Sequence, residues 1–248
     1  MTNQHRNDIY GTADQPNQEE TPPIPAATVV LLRAGEGEPE TLMLHRTSKV
    51  HFGGMWVFPG GRIDPEDYPE DQNADAAAHQ AAVRETLEET GITIGADAFA
   101  WFAHWTPPAG TPRRYATWFF ATILATEQDI AVDGHEIQNH EWISPSEALR
   151  RHELGEIDLA PPTWITLYQL AQHKTAEKAW QALDQQTVRV YETRIRKDAD
   201  DRRVALWAED VAYQGGPIDA PGPRHRLILD PAGFKFESDA VSYRVACD

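Results

Sequence analysis

The segment from Ala74 to Thr90 constrains the fold more than any other part of this sequence, because it carries signals for both ends of a helix. The segment is rich in alanine, the residue with the highest helix propensity. Asn73 stands where a side chain can cap the first turn, and Gly91 stands where helices commonly end in a left-handed residue. The sequence therefore predicts a helix over 74–90.

Three carboxylates crowd the C-terminal half of this predicted helix. Residues three and four apart share a helix face, so Glu85, Glu88 and Glu89 fall within an arc of roughly 100°. Small apolar residues occupy the same arc over the preceding turns: Ala74, Ala77, Ala78, Ala81 and Ala82. Arg84 is placed i,i+4 from Glu88 and can fix the orientation of that side chain. The stripe indicates a face that packs closely against another element.

Two interpretations of this acidic cluster are open. Like charges so close repel and raise one another's pKa, and a divalent cation such as Mg²⁺ removes the repulsion, since hard cations prefer carboxylate oxygens. The alternative is a solvated acidic face, which charge runs usually form. The glycine cap, the alanine stripe and the upstream Pro-Gly-Gly loop at 59–61 favour the cation.

Composition narrows the class of protein. The formal charge of −17 over 248 residues argues against a general nucleic-acid binder, because a phosphate backbone requires a basic face. Cys247 is the single cysteine of the sequence, so no intrachain disulfide can form. No apolar run approaches the roughly 20 residues that cross a bilayer, and the N-terminus resembles no signal peptide. We therefore expect a cytoplasmic protein without nucleic-acid or membrane partners.

The pattern along the chain predicts one main domain with additions at both ends. Residues 1–23 are polar and are predicted to form a disordered tail. Strands are predicted at 26–32, 41–45, 99–105, 115–125 and 137–143, and helices at 145–152, 161–172 and 176–183. Residues 51–61 and 62–73 are predicted loops. This order favours an α/β or α+β sandwich over 24–174, with 175–248 as a β-rich C-terminal extension of the same folded unit.

The strongest motif is a glycine followed by a spaced acid and then RETLEETGI, Arg84 to Ile92. It resembles the Nudix box, whose second half reads R-E-U-x-E-E-x-G-U with U aliphatic. Every fixed position of that half matches, although Thr86 stands where an aliphatic residue is usual. The usual interval from the glycine to the arginine is about 14 residues, whereas Gly61 to Arg84 spans 23. The spaced acid falls on Asp67, whose function is left open, and the insertion follows it.

This resemblance implies an α/β/α Nudix sandwich with a mixed sheet. It also implies a metal-dependent hydrolase that cleaves a pyrophosphate bond in a nucleoside diphosphate linked to another group. Carried over to this sequence, Glu85, Glu88 and Glu89 become ligands of Mg²⁺ or Mn²⁺, and Arg84 becomes the residue that orients them.

Further site residues follow from the same resemblance. The Gly60 carbonyl becomes an additional metal ligand, and Gly60 and Gly61 border the substrate. Glu136 lies in a later loop, where some Nudix enzymes place a general base or an extra metal ligand. The alternative for Glu136 is a solvated loop position.

A wider likeness points to a branch that includes peroxisomal coenzyme A diphosphatases. It rests on His45 to Asp67, on TPRRYATWFFAT and on APPTWITL. It implies coenzyme A, acyl-coenzyme A or another adenine-containing diphosphate as the substrate, with Arg46 as a substrate-binding residue. The coenzyme A signature usually has a second arginine five residues later, where this sequence has His51, so the substrate stays open.

Other residues are candidates for substrate binding, each with a structural alternative. Arg113 or Arg114 could hold a substrate phosphate, or both could be a surface pair that flanks a strand. Trp105, Tyr115 and Trp118 could stack on an adenine, although aromatic residues in such strands more often belong to a core.

The competing functional class is a catalytically inactive Nudix-fold protein that binds a ligand or regulates a partner, because a fold does not fix a function. The intact set of three glutamates favours the enzyme. Association into a homodimer is left open.

Overall fold

The computed structural model describes Tyr10 and residues 22–47, 53–95, 99–111, 113–132, 134–230 and 232–239. The strands in these ranges are β1 (Ile24–Ala34), β2 (Pro39–Arg46), β3 (Trp56–Val57), β4 (Gly60–Arg62), β5 (Ala100–Thr106), β6 (Tyr115–Ile123), β7 (Ile137–Ile143), β8 (Arg189–Glu192), β9 (Arg194–Lys197), β10 (Arg203–Leu206), β11 (His225–Asp230) and β12 (Gly233–Ser238). The helices are α1 (Ala74–Thr90), α2 (Pro145–Glu153), α3 (Pro161–Leu170) and α4 (Ala176–Gln185), and a short 3-10 helix spans Pro65–Asp67.

The first eight strands form one mixed sheet. Its main path runs β3-β2-β1-β6-β5-β8, while β4 pairs with β1 and β7 pairs with β2. Strand β1 uses one edge twice, since its first half pairs with β4 and its last residues form the predicted hairpin with β2. On its other edge β1 runs parallel to β6. Strand β1 therefore holds β4, which contains both glycines of the predicted Pro-Gly-Gly loop.

Alternating side chains of β1 serve two separate cores. Val29 and Leu31 pack on one face with the alanines of α1. Val30 and Leu32 pack on the other face with residues of α3 and α4. Helices cover both faces of the sheet, which confirms the predicted α/β/α layering.

The C-terminal strands form a second, antiparallel sheet in the order β12-β11-β10-β9. Leu227, Leu229 and Phe234 of this sheet belong to the same core as Phe102 of β5. Strand β8, just before it, extends the main sheet by pairing parallel to β5. A small sheet needs a partner for its apolar face, and here the main sheet and its helices supply that partner.

Most of the predicted elements are present, and both predicted loops contain short regular elements. Residues 51–61 were expected to be a loop, but β3 and β4 pair there with β2 and β1. Most of the tail predicted over residues 1–23 lies outside the described residues, but Tyr10 within it is described, and its side chain is buried in the core. The predicted loop at 62–73 contains the short 3-10 helix. No helix within the described ranges combines the length and apolarity that a bilayer crossing requires.

Candidate active site

Helix α1 begins and ends where the sequence predicts. The Asn73 Oδ1 atom accepts a hydrogen bond from the Ala76 N–H at 3.0 Å, and Gly91 ends the helix with a φ of 73°. The predicted alanine stripe is buried apart from its first residue, with full burial at Ala77, Ala78, Ala81 and Ala82. Leu87, on the opposite side, is 49% exposed. The acids therefore extend the face that packs against the sheet.

The two glycines of β4 allow close approach on two sides, Gly60 to strand β1 and Gly61 to helix α1. Gly60 has a φ of 154°, and a Cβ atom there would lie 2.3 Å from the Ala27 carbonyl oxygen. A Cβ atom on Gly61 would lie 2.3 Å from the carboxyl carbon of Glu85. Real Cβ atoms do not approach so closely, so a side chain at Gly61 would displace the Glu85 carboxylate.

Arg84 is anchored by Asp67, the acid whose role the sequence left open. Arg84 donates from Nε to Asp67 Oδ1 at 3.0 Å and from Nη2 to Oδ2 at 2.8 Å. Burial acts to raise the pKa of Asp67, but hydrogen bonds from Arg84 and from the Asp64 N–H outweigh it and lower that pKa below its ordinary value. The remaining nitrogen, Nη1, donates to Glu85 at 2.9 Å and to Glu88 at 3.1 Å. Asp67 thus fixes the guanidinium that orients two of the three acids.

Glu89 is the most buried of the three acids. Its Oε2 atom accepts a hydrogen bond from the Gly60 N–H at 2.9 Å, and its Oε1 atom lies 3.6 Å from Arg46 Nη1. Burial raises the pKa of Glu89 to about 8, although Gly60 and Arg46 both act to lower it. Burial also raises the pKa of Glu85 above its ordinary value. Arg46 additionally donates from Nη2 to Glu136.

The acids border a cleft of about 600 Å³ whose lining combines two kinds of side chain. The charged side chains include the acids, Arg46, Arg84 and Glu136. The lining also contains aromatic and small apolar side chains: Phe58, Trp105, Tyr115, Phe119, Ala160 and Pro162. Trp105 is held flat against Tyr191, with 3.6 Å between ring centroids and 2° between ring planes. The cleft can thus receive a ligand that carries both charged groups and a flat or apolar group.

The structure brings together most of the residues predicted for the site. The cleft is lined by Glu85, Glu88, Glu89, Arg84, Arg46, Gly60, Gly61, Glu136 and Arg113. Arg114 is absent from this lining and donates from Nε to the Pro107 carbonyl at 3.2 Å. Trp118 points to the α1 side of the sheet, where its Nε1 donates to Asp75 at 3.0 Å. His51 lies outside the described residues.

Sequence reasoning missed part of the cleft wall. Tyr10 lines the cleft, as do Thr163 near the start of α3 and Thr193 after β8. The double proline at 161–162 predicted the helix start, but no local signal places that start opposite α1. Thr193 reaches the cleft because β8 joins the main sheet beside β5.

The chemistry of the three acids suits a hard divalent cation. They are carboxylates on one helix face, two of them are largely withdrawn from water, and all three border the cleft. Within the described ranges, however, no three acidic, histidine or cysteine side chains converge on one point. Arg84 lies between Glu85 and Glu88, and Arg46 lies beside Glu89. A cation would therefore exchange with contacts that these arginines now make.

The chain belongs to the Nudix family, since the NUDIX domain model matches residues 22–182. That match begins two residues before β1 and ends in α4.

Similar proteins agree with this membership. A Caenorhabditis elegans protein named "Putative nudix hydrolase 7" is 27% identical over 185 residues, covering 60% of this chain and 61% of that protein. An Escherichia coli CTP pyrophosphohydrolase is 29% identical over 115 residues, covering 46% of this chain and 74% of that protein. The chain thus spans less than two thirds of the nematode relative's length.

A solved structure supports the fold. The crystal structure of a NUDIX hydrolase from Alicyclobacillus acidocaldarius superposes with a TM-score of 0.61 at 22% identity. The superposition covers 68% of this chain and all of that chain.

Proposed function

We propose that this chain is a pyrophosphohydrolase that requires Mg²⁺ or Mn²⁺. The observation that carries the proposal is the placement of Glu85, Glu88 and Glu89 along one side of the cleft, with Arg84 anchored among them. Family membership supports hydrolysis of a pyrophosphate bond as the general reaction. Nothing in ligand binding alone requires three carboxylates at that position, which argues against the inactive binding protein.

Different residues of the cleft are proposed to bind the cation, to contact the substrate and to transfer a proton. A divalent cation bound by the three glutamates would neutralise charge on the phosphoryl oxygens and lower the pKa of the attacking water. Arg84 holds Glu85 and Glu88 in place through Nη1. Glu136 is our candidate general base, since it lines the cleft and its side chain is half-exposed. Arg46 and Arg113 are our candidates for contacts with substrate phosphates.

The proposed substrate is a nucleoside diphosphate linked to another group, such as coenzyme A, acyl-coenzyme A or another adenine-containing diphosphate. The aromatic side chains in the cleft lining support a flat or apolar group attached to the diphosphate. The similarity of residues 45–67 to the coenzyme A diphosphatase branch supports the same choice. We expect coenzyme A or another adenine-containing diphosphate to be cleaved with a higher kcat/KM than a nucleoside triphosphate.

The test is a screen of the purified chain against diphosphate compounds with Mg²⁺ or Mn²⁺, in which products are identified by mass. The values of kcat/KM for coenzyme A, ADP-ribose, NADH and a nucleoside triphosphate are then compared at one metal concentration. A clear preference for the triphosphate would reject the substrate class and leave the reaction standing.

The variant Glu88→Gln tests the site itself. We expect at least a roughly hundredfold loss of kcat/KM with an unchanged fold, because the variant removes a ligand charge. Glu70→Gln is the matched control, since Glu70 is exposed and does not line the cleft. Turnover by Glu88→Gln at the rate of the unmodified chain would reject the metal-site assignment, and absence of hydrolysis by the unmodified chain would favour the binding protein.

A further inference from the structure

Arg46 makes contacts that a substrate-binding arginine alone does not require. It is the last residue of β2, and its Nη2 atom pairs with Glu136 while its Nη1 atom lies 3.6 Å from Glu89. One guanidinium thus bridges a predicted metal ligand and the candidate base, two carboxylates that lie on different elements.

The backbone around this bridge is fixed. The Arg46 N–H donates to the Met55 carbonyl at 3.0 Å, and the Gly54 N–H donates to the Arg46 carbonyl at 3.0 Å. Next to it, the Thr47 N–H donates to the Glu136 carbonyl at 2.8 Å. Because both backbones are held, an exchange of partners at this bridge requires only side-chain rotation.

Arg46 also keeps an unused donor. Its side chain is only 15% exposed, and its Nε atom is shielded from water without a hydrogen-bond partner among the described residues. A guanidinium in this position depends on Glu89 and Glu136 for compensation of its charge. If both carboxylates took another partner, the charge of Arg46 would remain uncompensated beside the cleft that it lines.

We propose that Arg46 is an exchangeable counter-charge, which neutralises Glu89 and Glu136 until a divalent cation binds at Glu89, and which then pairs with a phosphate of the substrate and leaves Glu136 free as the base. This inference rests on the proposed function. Arg46 and the cation compete for the carboxylate of Glu89, so each weakens the other's contact. A substrate phosphate offers the released guanidinium a bidentate partner. Cation and substrate therefore strengthen each other's binding, and the coupling is reciprocal.

The first measurement is the affinity for Mn²⁺ alone, obtained from the spin-resonance signal of free Mn²⁺ with the full chain. We expect Arg46→Gln to bind Mn²⁺ about tenfold more tightly than the unmodified chain, since the internal competitor is gone. Protons also compete with Mn²⁺ for these carboxylates, and loss of the arginine charge strengthens proton binding too. The gain is larger for a doubly charged ion than for a proton, so we still expect the Mn²⁺ affinity to rise. Unchanged or weaker Mn²⁺ binding by a folded Arg46→Gln overturns the proposal.

The second measurement is the affinity for α,β-methylene-ADP, a diphosphate that cannot be hydrolysed at the bridge, with and without saturating Mn²⁺. We expect Mn²⁺ to strengthen analogue binding in the unmodified chain and to have a much smaller effect in Arg46→Gln. Equal coupling in the two proteins overturns the exchange of partners.

A conservative variant keeps the test decisive if Arg46→Gln does not fold. Arg46→Lys retains the charge and loses the bidentate geometry, so Mn²⁺ affinity should stay near that of the unmodified chain while analogue affinity falls. The matched control is Arg33→Gln. Arg33 pairs with Glu40 at 2.8 Å on the neighbouring strand and does not line the cleft, so both affinities should be unchanged.

The two proposals fail in different ways. If the unmodified chain neither binds Mn²⁺ nor hydrolyses a diphosphate, the proposed function fails and the exchange fails with it. If it does both, and Arg46→Gln does not gain Mn²⁺ affinity, only the exchange is rejected.

Discussion

Two arginine–aspartate pairs in this molecule share the same bidentate geometry and differ in what surrounds them. Arg84 pairs with Asp67 beside the cleft at 3.0 and 2.8 Å. Arg226 pairs with Asp210 in the C-terminal region at 2.6 and 2.5 Å. The Arg84 side chain is 29% exposed, whereas those of Arg226 and Asp210 are 6% and 0% exposed.

The remaining donors show what each pair does. Arg226 Nη1 donates to the Ile218 carbonyl at 2.7 Å, so the backbone consumes its last nitrogen. Asp210 also accepts from the N–H groups of Ala212 and His225. Arg84 Nη1 instead donates to the carboxylates of Glu85 and Glu88. We infer that one pair stabilises a scaffold and that the other positions chemical groups.

The largest expected effect is on the scaffold pair. Asp210→Asn should lower the free energy of unfolding by roughly 3–5 kcal/mol, because it leaves the charge of Arg226 buried without a counter-charge. The kcat of the remaining folded molecules should not change. Denaturant unfolding measures the first quantity, with Asp201→Asn as the exposed control. A loss below about 1 kcal/mol would contradict the assignment.

Asp67→Asn should reduce activity strongly and stability only a little, the reverse of what we expect for Asp210→Asn. We expect a roughly 10–100-fold fall in kcat/KM, since Arg84 loses the partner that fixes its orientation toward Glu85 and Glu88. The loss of unfolding free energy should be smaller than for Asp210→Asn, because Arg84 is partly solvated. Steady-state kinetics and denaturant unfolding of the same preparation test both statements. Unchanged kinetics would show that Glu85 and Glu88 are oriented without the pair.

The next expected effect comes from the glycine beneath Glu85. Gly61→Ala should lower kcat/KM by roughly tenfold, because the new Cβ atom forces the Glu85 carboxylate away from its place. Gly95→Ala is the control, since a Cβ atom there would meet nothing within 4 Å. Equal kinetics for the two variants would mean that Glu85 tolerates displacement.

The smallest expected effect is a pH dependence of stability caused by His225, whose backbone N–H donates to Asp210 of the scaffold pair. Burial lowers the pKa of His225 to about 4, from an ordinary value of 6.5. Its folded-state pKa is depressed, so the unfolded chain binds the proton first, and the contribution of neutral His225 to stability falls as pH drops from about 6.5 towards 4. Between pH 7.5 and pH 5.5 the free energy of unfolding of the unmodified chain should fall by about 1 kcal/mol more than that of His225→Gln. Unfolding curves at the two pH values give this difference, and a constant difference would contradict the shift.

The sequence predicts those features whose causes are local. Asn73 and Gly91 cap α1 through contacts within a few residues, and both ends of that helix were predicted correctly. The stripe of alanines predicted the buried face for the same reason. Features that depend on distant partners were not predicted. Arg46 meets Glu136 across 90 residues of chain, and Tyr10 is buried by residues of the sheet and helices.

The same distinction explains why the sequence left alternatives open within the site. Trp118 and Tyr115 lie on one strand, and composition alone does not tell which of them faces the cleft. Their register on β6 decides this, and it turns Trp118 toward Asp75 and Tyr115 toward the cleft. Arg113 and Arg114 are separated in the same way by the geometry of the loop before that strand.

The ion pair between Asp67 and Arg84 affects which changes in chain length the protein can tolerate. It ties the acid to α1 directly, so the chain between them does not have to set their separation. The interval from Gly61 to Arg84 is 23 rather than about 14 residues, and this lengthening costs only about 0.4 kcal/mol in chain entropy. Insertions and deletions after Asp67 should therefore have little effect on the positions of Glu85 and Glu88. We expect this short surface segment to tolerate changes in length.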